Sequence, residues 1–501
     1  MSPLLTKSWN PRLSGFALLT ALATLGLLAA GGLVTSHGAG MAVPDWPNTY
    51  GYNMFFFPFS QWVGGVFYEH THRLFASLVG LLTSVLALWL YGAKARPWMR
   101  NFGLVLLAAA LGALIAWPRR WSDALVLGLT GAALFGSSFA WPRCGPSPRW
   151  LRRLGLAAFL AVVLQGVLGG LRVVLFQDEI GIFHATLAQL FFVLVCALAL
   201  FTSRWWQEAA TAPSLLGSPF PLTPALSPSD GEREQQGPDL DHSHTAGFVH
   251  RLAAILPLPK GEGRGEGEQD ARNAADAQVQ IPVHARSLPS LVVATTLLIL
   301  VQLILGAWMR HQHAGLAIPD FPLAYGKLWP HTDAAAVALY NQQRLETVSL
   351  NPITAFQIGL QMAHRILAAL ILAAVAACAW QTWRRLGARS ALGKLGLVWL
   401  GLVLTQALLG ALTIWSDKAA DIATAHVLGG ALSLALGTIQ CLLWVQQPMP
   451  ARRTLAPALD RRSKVPGRRC RVSSVEGTKC RPSTLDPRPS ATSRQFSRPM
   501  P

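Results

Sequence analysis

The sequence predicts an all-α polytopic membrane protein built as two pseudo-symmetric four-helix bundles from an internal repeat, with an extra helical hairpin in the first. Three observations carry this. The 501 residues are 52% hydrophobic and only 13% charged, a balance outside the range of ordinary soluble domains. Apolar runs of about 20 residues, the length needed to cross a bilayer, recur along the chain. Several phrases from the first half return in the same order in the second.

Ten spans are expected: Leu13–Val34, Phe67–Tyr91, Phe102–Trp117, Asp123–Trp141, Leu154–Leu175, Ile182–Phe201, Leu291–Met309, Ala355–Trp380, Leu395–Trp415 and Ile422–Val445. The first is long enough to remain as a span, and no convincing cleavage site follows it. The third and fourth are short, with Arg119 and Arg120 between them, and form the extra hairpin at about 102–141. The 18 tryptophans suit interfacial belts, and the formal charge of +18 sits largely in short loops and the tail. It therefore reads as a topology signal, not as nucleic-acid binding. Lys94, Arg96, Arg100, Arg143, Arg149, Arg152, Arg153, Arg204, Arg384, Arg385, Arg389 and Lys394 fall on one side. That side is expected to be cytoplasmic, with both termini inside, in the cell membrane.

Four segments follow: an N-terminal membrane half (1–201), a disordered cytoplasmic linker (202–288), a C-terminal membrane half (289–446) and a disordered basic tail (447–501). The linker is rich in Pro, Gly, Ser and Glu and has no core-forming period. Its His242, His244 and His250 lack any surrounding apolar span and are read as incidental. Deleting Ser214 to Val279 is expected to leave membrane insertion unchanged, because a segment without a core-forming period buries nothing. Cys196, Cys378 and Cys441 read as small buried hydrophobes, while Cys144, Cys470 and Cys480 lie in basic loop or tail. None forms a metal-spaced pair.

The repeat is explicit. Ala39-Gly40-Met41-Ala42-Val43-Pro44-Asp45-Trp46-Pro47 returns as Ala314-Gly315-Leu316-Ala317-Ile318-Pro319-Asp320-Phe321-Pro322, an offset of 314 − 39 = 275. His72-Arg73-Leu74 returns as His364-Arg365-Ile366, the phrase from Gln165 to Leu171 as Gln406 to Leu412, and His184-Ala185 as His426-Val427. All four histidines begin spans entered from the same side, so they share a depth near the outer face. Two such imidazoles on separate helices of one bundle can supply both axial ligands of a haem. Helix–helix hydrogen bonding is the ordinary use of a lone membrane histidine, and does not explain four paired by repeat and depth. The small residues around Gly166–Gly170 and Gly410–Ala411 allow close helix approach, or leave room beside a flat macrocycle. Arg73 and Arg365 are candidates for haem propionate contacts or for interfacial snorkelling. Three residues before His72 stands Glu69, where Gln361 precedes His364, so only the first site carries a carboxylate suited to proton chemistry.

The Glu-x-x-His-Arg and His-Arg span starts, the Gln-x-x-Leu-Gly phrases and the two later histidines resemble the haem A synthase family across the eight core spans. The resemblance implies a membrane oxidoreductase that converts the position-8 methyl group of haem O to the formyl group of haem A by successive hydroxylations, for cytochrome oxidase maturation. It implies a resident b-type haem on His364 and His426, the substrate haem O near His72 and His184, and Glu69 as the catalytic carboxylate. Haem O synthase, an electron-transfer partner and oxidase assembly factors are the implied partners besides membrane lipid, and a homo-oligomer is compatible with it. The chain departs from the family in its extra hairpin and long linker. It also lacks the outer-loop cysteine pairs of some members, none lying between His37 and Tyr68 or between His311 and Thr354.

Two other functions compete. A di-haem b-type electron-transfer cytochrome would use both pairs alike, with no need for a carboxylate on one side only. A transporter fits repeats but leaves the matched histidines unexplained.

Overall fold

A computed structural model describes residues 9–177, 179–211, 283–347 and 352–446. Most of the linker, all of the tail and the histidines at 242, 244 and 250 lie outside the described residues. The regular structure described is helical. In chain order it comprises α1 (Pro11–Ser36), α2 (Gly64–Tyr91), α3 (Ala95–Ala116), α4 (Trp121–Ala140), α5 (Arg149–Val174), α6 (Glu179–Thr202) and the short α7 (Arg204–Thr211). The second half supplies α8 (Val283–His311), α9 (Ala334–Thr347), α10 (Ala355–Leu386), α11 (Ala391–Trp415) and α12 (Ala420–Gln446).

Among the described residues nine segments are long and apolar enough to cross a membrane. Ten spans reduce to nine segments because only a single 3-10 turn at Gly92–Lys94 parts α2 from α3, and the two run as one stretch. The chain is a multi-pass membrane protein.

Helices α1, α2, α5 and α6 pack around the first core; α8, α10, α11 and α12 pack around the second in the same cyclic order. The first core gathers Leu13, Ala17, Val79, Leu86, Leu90, Leu151, Ala158, Phe191, Val195 and Leu198. The second gathers Leu288, Val292, Ile299, Ile371, Val375, Trp399, Val403 and Leu434, with the Trp399 indole donating to the Ser433 carbonyl at 3.0 Å. In both bundles these residues fill the end remote from the loops that follow α1 and α8. The loop end holds the polar groups and, in the second half, a separate apolar cluster of Ala317, Ile318, Ala324, Tyr340, Ile353, Ile358 and Met362.

The halves meet through α6 against α12, flanked by α1 against α12 and α6 against α8. Since α1 corresponds to α8 and α6 to α12, exchanging the halves maps this contact set onto itself, as a pseudo-two-fold axis beside α6 and α12 requires. Phe192, Ala431 and Ala435 form a buried apolar centre in that interface. Small residues there bring the backbones close, the usual means of helix association in lipid.

Helices α3 and α4 pack chiefly on each other. Gly103 and Gly131 face the opposite backbone so closely that a Cβ on either would sit 2.8–3.0 Å from its neighbours. The hairpin turn lies at the loop end, because Asn53 Nδ2 donates to Asp123 Oδ1 at 2.8 Å. Helix α3 starts at Ala95, seven residues before the expected Phe102. The reason is Arg96, whose charge reads as a boundary but whose guanidinium donates to the Trp141 and Phe139 carbonyls and closes the hairpin base.

Candidate functional site: two imidazole pairs beneath matching lids

The loops between α1 and α2, and between α8 and α10, fold to one plan. Asp45 accepts from the Tyr50 and Gly51 amides, both at 2.8 Å, and Asp320 accepts from Tyr325 and Gly326 at 2.7 and 2.8 Å. These carboxylates hold Tyr50 (φ 48°) and Tyr325 (φ 53°) in the left-handed region that side chains rarely adopt. Each phenol donates back to a loop carbonyl, Tyr50 to Ala42 at 2.6 Å and Tyr325 to Ala317 at 2.5 Å. Burial pushes the Tyr325 phenol up to about 12, so it stays a protonated donor.

The lids are latched from below by the residues around the first histidine of each pair. Arg73 donates to the carbonyls of Val43, Asp45 and Asn48 at 2.9, 2.7 and 3.0 Å. Arg365 donates to Ile318, Asp320 and Leu323 at 3.4, 2.8 and 2.9 Å, each shifted by 275 positions. Glu69 completes the first latch: Oε2 accepts from the Val43 amide at 2.8 Å and Oε1 from Arg73 at 2.7 Å. Gln361 completes the second, accepting from the Ile318 amide at 2.7 Å and donating to the Gly315 and Ile318 carbonyls at 3.2 and 3.3 Å. Both arginines thus hold loop carbonyls. The carboxylate of Glu69 does the structural task that an amide does in the other half.

Beneath the lids, His72 on α2 lies within electrostatic reach of His184 on α6, and His364 on α10 of His426 on α12. Each imidazole fits against a bare glycine on the neighbouring helix. A Cβ on Gly31, Gly169, Gly306 or Gly410 would meet Cε1 of His72, His184, His364 or His426 at 3.0, 3.2, 3.3 and 3.2 Å. One turn before three of these glycines, a glutamine clasps the carbonyl of the histidine it faces. Gln165 donates to His184 and Gln302 to His364, both at 3.0 Å, and Gln406 donates to His426 at 2.6 Å. At the fourth place, before Gly31, stands Leu27. The small residues read as helix contacts or macrocycle clearance therefore seat the imidazoles, and Gly170 also takes the ring of Trp46 from the lid.

The Nδ1 atoms of all four histidines are buried without a partner, as are the Oε1 atoms of the three glutamines. An orphaned buried polar atom costs about 1–3 kcal/mol, so each of these calls for an explanation. Among the described residues no three His, Cys, Asp or Glu gather, so each pair offers two nitrogen ligands without a third. That donor set fits an iron whose other four ligands come from a planar macrocycle.

Residues 269–438 match the COX15-CtaA family of cytochrome oxidase assembly proteins. The resemblance to haem A synthases is thereby borne out over those residues, which run from α8 into α12 and include both second-half histidines, His364 and His426. No curated protein matches the chain.

Several residues around the site carry no signal in the sequence reading. His70, fully buried, meets Thr49 Oγ1 at 3.1 Å and packs between Phe57 and Trp62, with Met362 at its place in the other half. Helix α9 enters the second lid only, stacking Tyr340 on Tyr325 at 3.6 Å. Arg344 of α9 donates to the Leu316 carbonyl at 2.6 Å.

A substitution tests the glycine seats. Gly410→Val is expected to push His426 from its place, because overpacking a filled contact costs about 1–3 kcal/mol. The purified variant should show weakened low-spin haem absorbance, while Gly401→Val, where nothing lies within 4 Å of the added Cβ, should not. Equal spectra from both variants would show that the seat does not position the imidazole.

Proposed function

We propose that the chain is a haem A synthase, oxidising the position-8 methyl group of haem O to the formyl group of haem A by successive hydroxylations. In this reading His364 and His426 hold a resident b-type haem, and His72 and His184 receive haem O. The observation that carries it is the repeated pair of orphaned imidazoles, glycine-seated on one plan, beneath lids whose latches differ in a single charge: Glu69 against Gln361. The resident haem supplies one-electron redox chemistry. The chain's part is to fix the two imidazoles, to keep water off with the lid, and to place one carboxylate a helical turn from His72 as the proton-handling group. Arg73 holds that carboxylate at its Oε1, and the Val43 amide holds Oε2.

Lys94, Arg96, Arg100, Arg143, Arg149, Arg152, Arg153, Arg204, Arg384, Arg385, Arg389 and Lys394 gather at the end remote from the lids and outnumber Arg119, Arg120, Arg310 and Lys327 at the other, which by the positive-inside rule favours a cytoplasmic remote end and external lids, in the cell membrane. Haem O, membrane lipid, an electron-transfer partner that takes up the electrons of the oxidation, and the oxidase assembly machinery are the partners this function requires.

A di-haem electron-transfer cytochrome is the second reading, and one observation favours it. Glu69 is engaged by the lid in the way Gln361 is, so the two sites are structurally alike. Extracted pigment separates the readings. The synthase yields b-type haem together with haem O, its hydroxylated intermediate or haem A; the cytochrome yields b-type haem alone in two equal sites.

A further inference from the structure

Between the two halves, at the lid end, lies a polar cavity of about 300 Å³. Thr35 and Ser36 from the end of α1, Arg172 from α5, Arg310 and His311 from the end of α8, and Lys418 before α12 line it. Three fixed cations therefore face one space, and among its described lining residues there is no carboxylate. Burial and the nearby Arg310 push the Lys418 ammonium down from its usual range.

The cavity breaks the repeat. Arg310 stands where the first half has Thr35 (310 − 275), and Arg172 where the second half has Thr413 (172 + 241, the offset of Gln165 to Gln406). Lys418 sits in the connection where the halves differ in length, 426 − 410 = 16 residues from glycine to histidine against 184 − 169 = 15. The duplicated plan alone would not assemble these charges.

The cavity adjoins the first imidazole pair. Arg172 acts electrostatically on both His72 and His184, and its guanidinium lies 2.9–3.0 Å from where a Cβ of Gly40 in the first lid would stand. The imidazole of His311 rests on the bare backbone of Gly181, one turn before His184. Arg310 reaches across from the second half to the Gly32 carbonyl and Ser36 Oγ, both at 2.8 Å, which fixes the charge at the end of α1. Arg73 and Arg365, the arginines nearest the histidines in sequence, are engaged by lid carbonyls.

We infer that Arg172, Arg310 and Lys418 form the seat for the carboxylate side chains of the tetrapyrrole bound between His72 and His184. This rests on the reading of that pair as the substrate site. It assigns recognition of the propionates to the interface between halves and to residues the repeat does not share. Carboxylates suit the cavity because arginine pairs with them through forked hydrogen bonds, and such charge-assisted bonds are strong where water is scarce.

The test is a titration of the purified full-length protein, carrying its resident haem, with protohaem and with protohaem dimethyl ester, which lacks the two charges. Absorbance of the added haem reports occupancy of the first pair, and the resident low-spin signal reports folding. The wild type should bind the free acid about tenfold or more tightly than the ester. Lys418→Gln and Arg172→Thr, the latter restoring the residue of the other half, should weaken binding of the acid toward that of the ester and leave the ester unchanged. Equal binding of acid and ester by the wild type would overturn the inference, as would variants that weaken both ligands alike. If neither haem binds at the first pair while the resident signal is normal, the substrate-site reading fails and takes the inference with it.

Discussion

Glu69→Gln is expected to leave the first lid latched and the resident haem in place, while conversion of haem O falls by about 10²–10⁴-fold, the usual contribution of a positioned acid or base. The second half supplies the precedent for the structural part. There Gln361 accepts from the Ile318 amide at 2.7 Å, as Glu69 accepts from Val43 at 2.8 Å. An amide at position 69 can therefore keep the loop amide satisfied. It loses the charged contact with Arg73, whose bonds to the Val43, Asp45 and Asn48 carbonyls remain. What disappears is the one carboxylate a turn from His72. The measurement is haem O, its hydroxylated intermediate and haem A extracted from cells expressing each version. Wild-type haem A from the variant would remove Glu69 from the chemistry and favour the di-haem cytochrome. Loss of the resident haem along with activity would show that the latch needs the charge.

His364→Ala and His426→Ala are each expected to abolish nearly all low-spin b-type absorbance of the purified protein. Each removes one of the two imidazoles proposed as ligands in its bundle, and among the described residues no Cys, Asp or Glu joins them in a group of three. The carbonyl clasps from Gln302 and Gln406 reach the backbone of residues 364 and 426, so they survive truncation to Ala and hold the helices in register. A normal spectrum from both variants would refute the assignment of the second pair. The same substitutions at His72 and His184 should spare the resident signal and lower occupancy by added haem.

The spans were legible because a bilayer demands long apolar runs, and the pairing of histidines because the repeat carries them to one depth. The hairpin was legible except at its base, where Arg96 looks like a loop residue by charge and is helical by its bonds to Phe139 and Trp141. The lid latches were not legible. Glu69 and Arg73 find partners up to 30 positions away, and no local pattern announces that Arg73 holds carbonyls. The glycine seats were half visible: Gly169 and Gly410 fall inside the repeated phrase, but Gly31 and Gly306 do not. There the glutamine that precedes the seat in one half, Gln302, is replaced in the other by Leu27, which hides the match. The cationic cavity was invisible for the opposite reason, since its residues are those the repeat does not share.

The hairpin of α3 and α4 leaves and rejoins its bundle at one point. The Ala93 amide donates to the Cys144 carbonyl at 3.2 Å, and the Ser147 amide to Leu90 at 2.9 Å, so entry and exit lie side by side. In the second half the equivalent helices, α10 and α11, are joined directly through Gly387 and the capping Ser390. The added pair is thus spliced into a short turn without rewiring α2 or α5. That is a geometry in which a module can be inserted whole, since the chain leaves and returns at adjacent points.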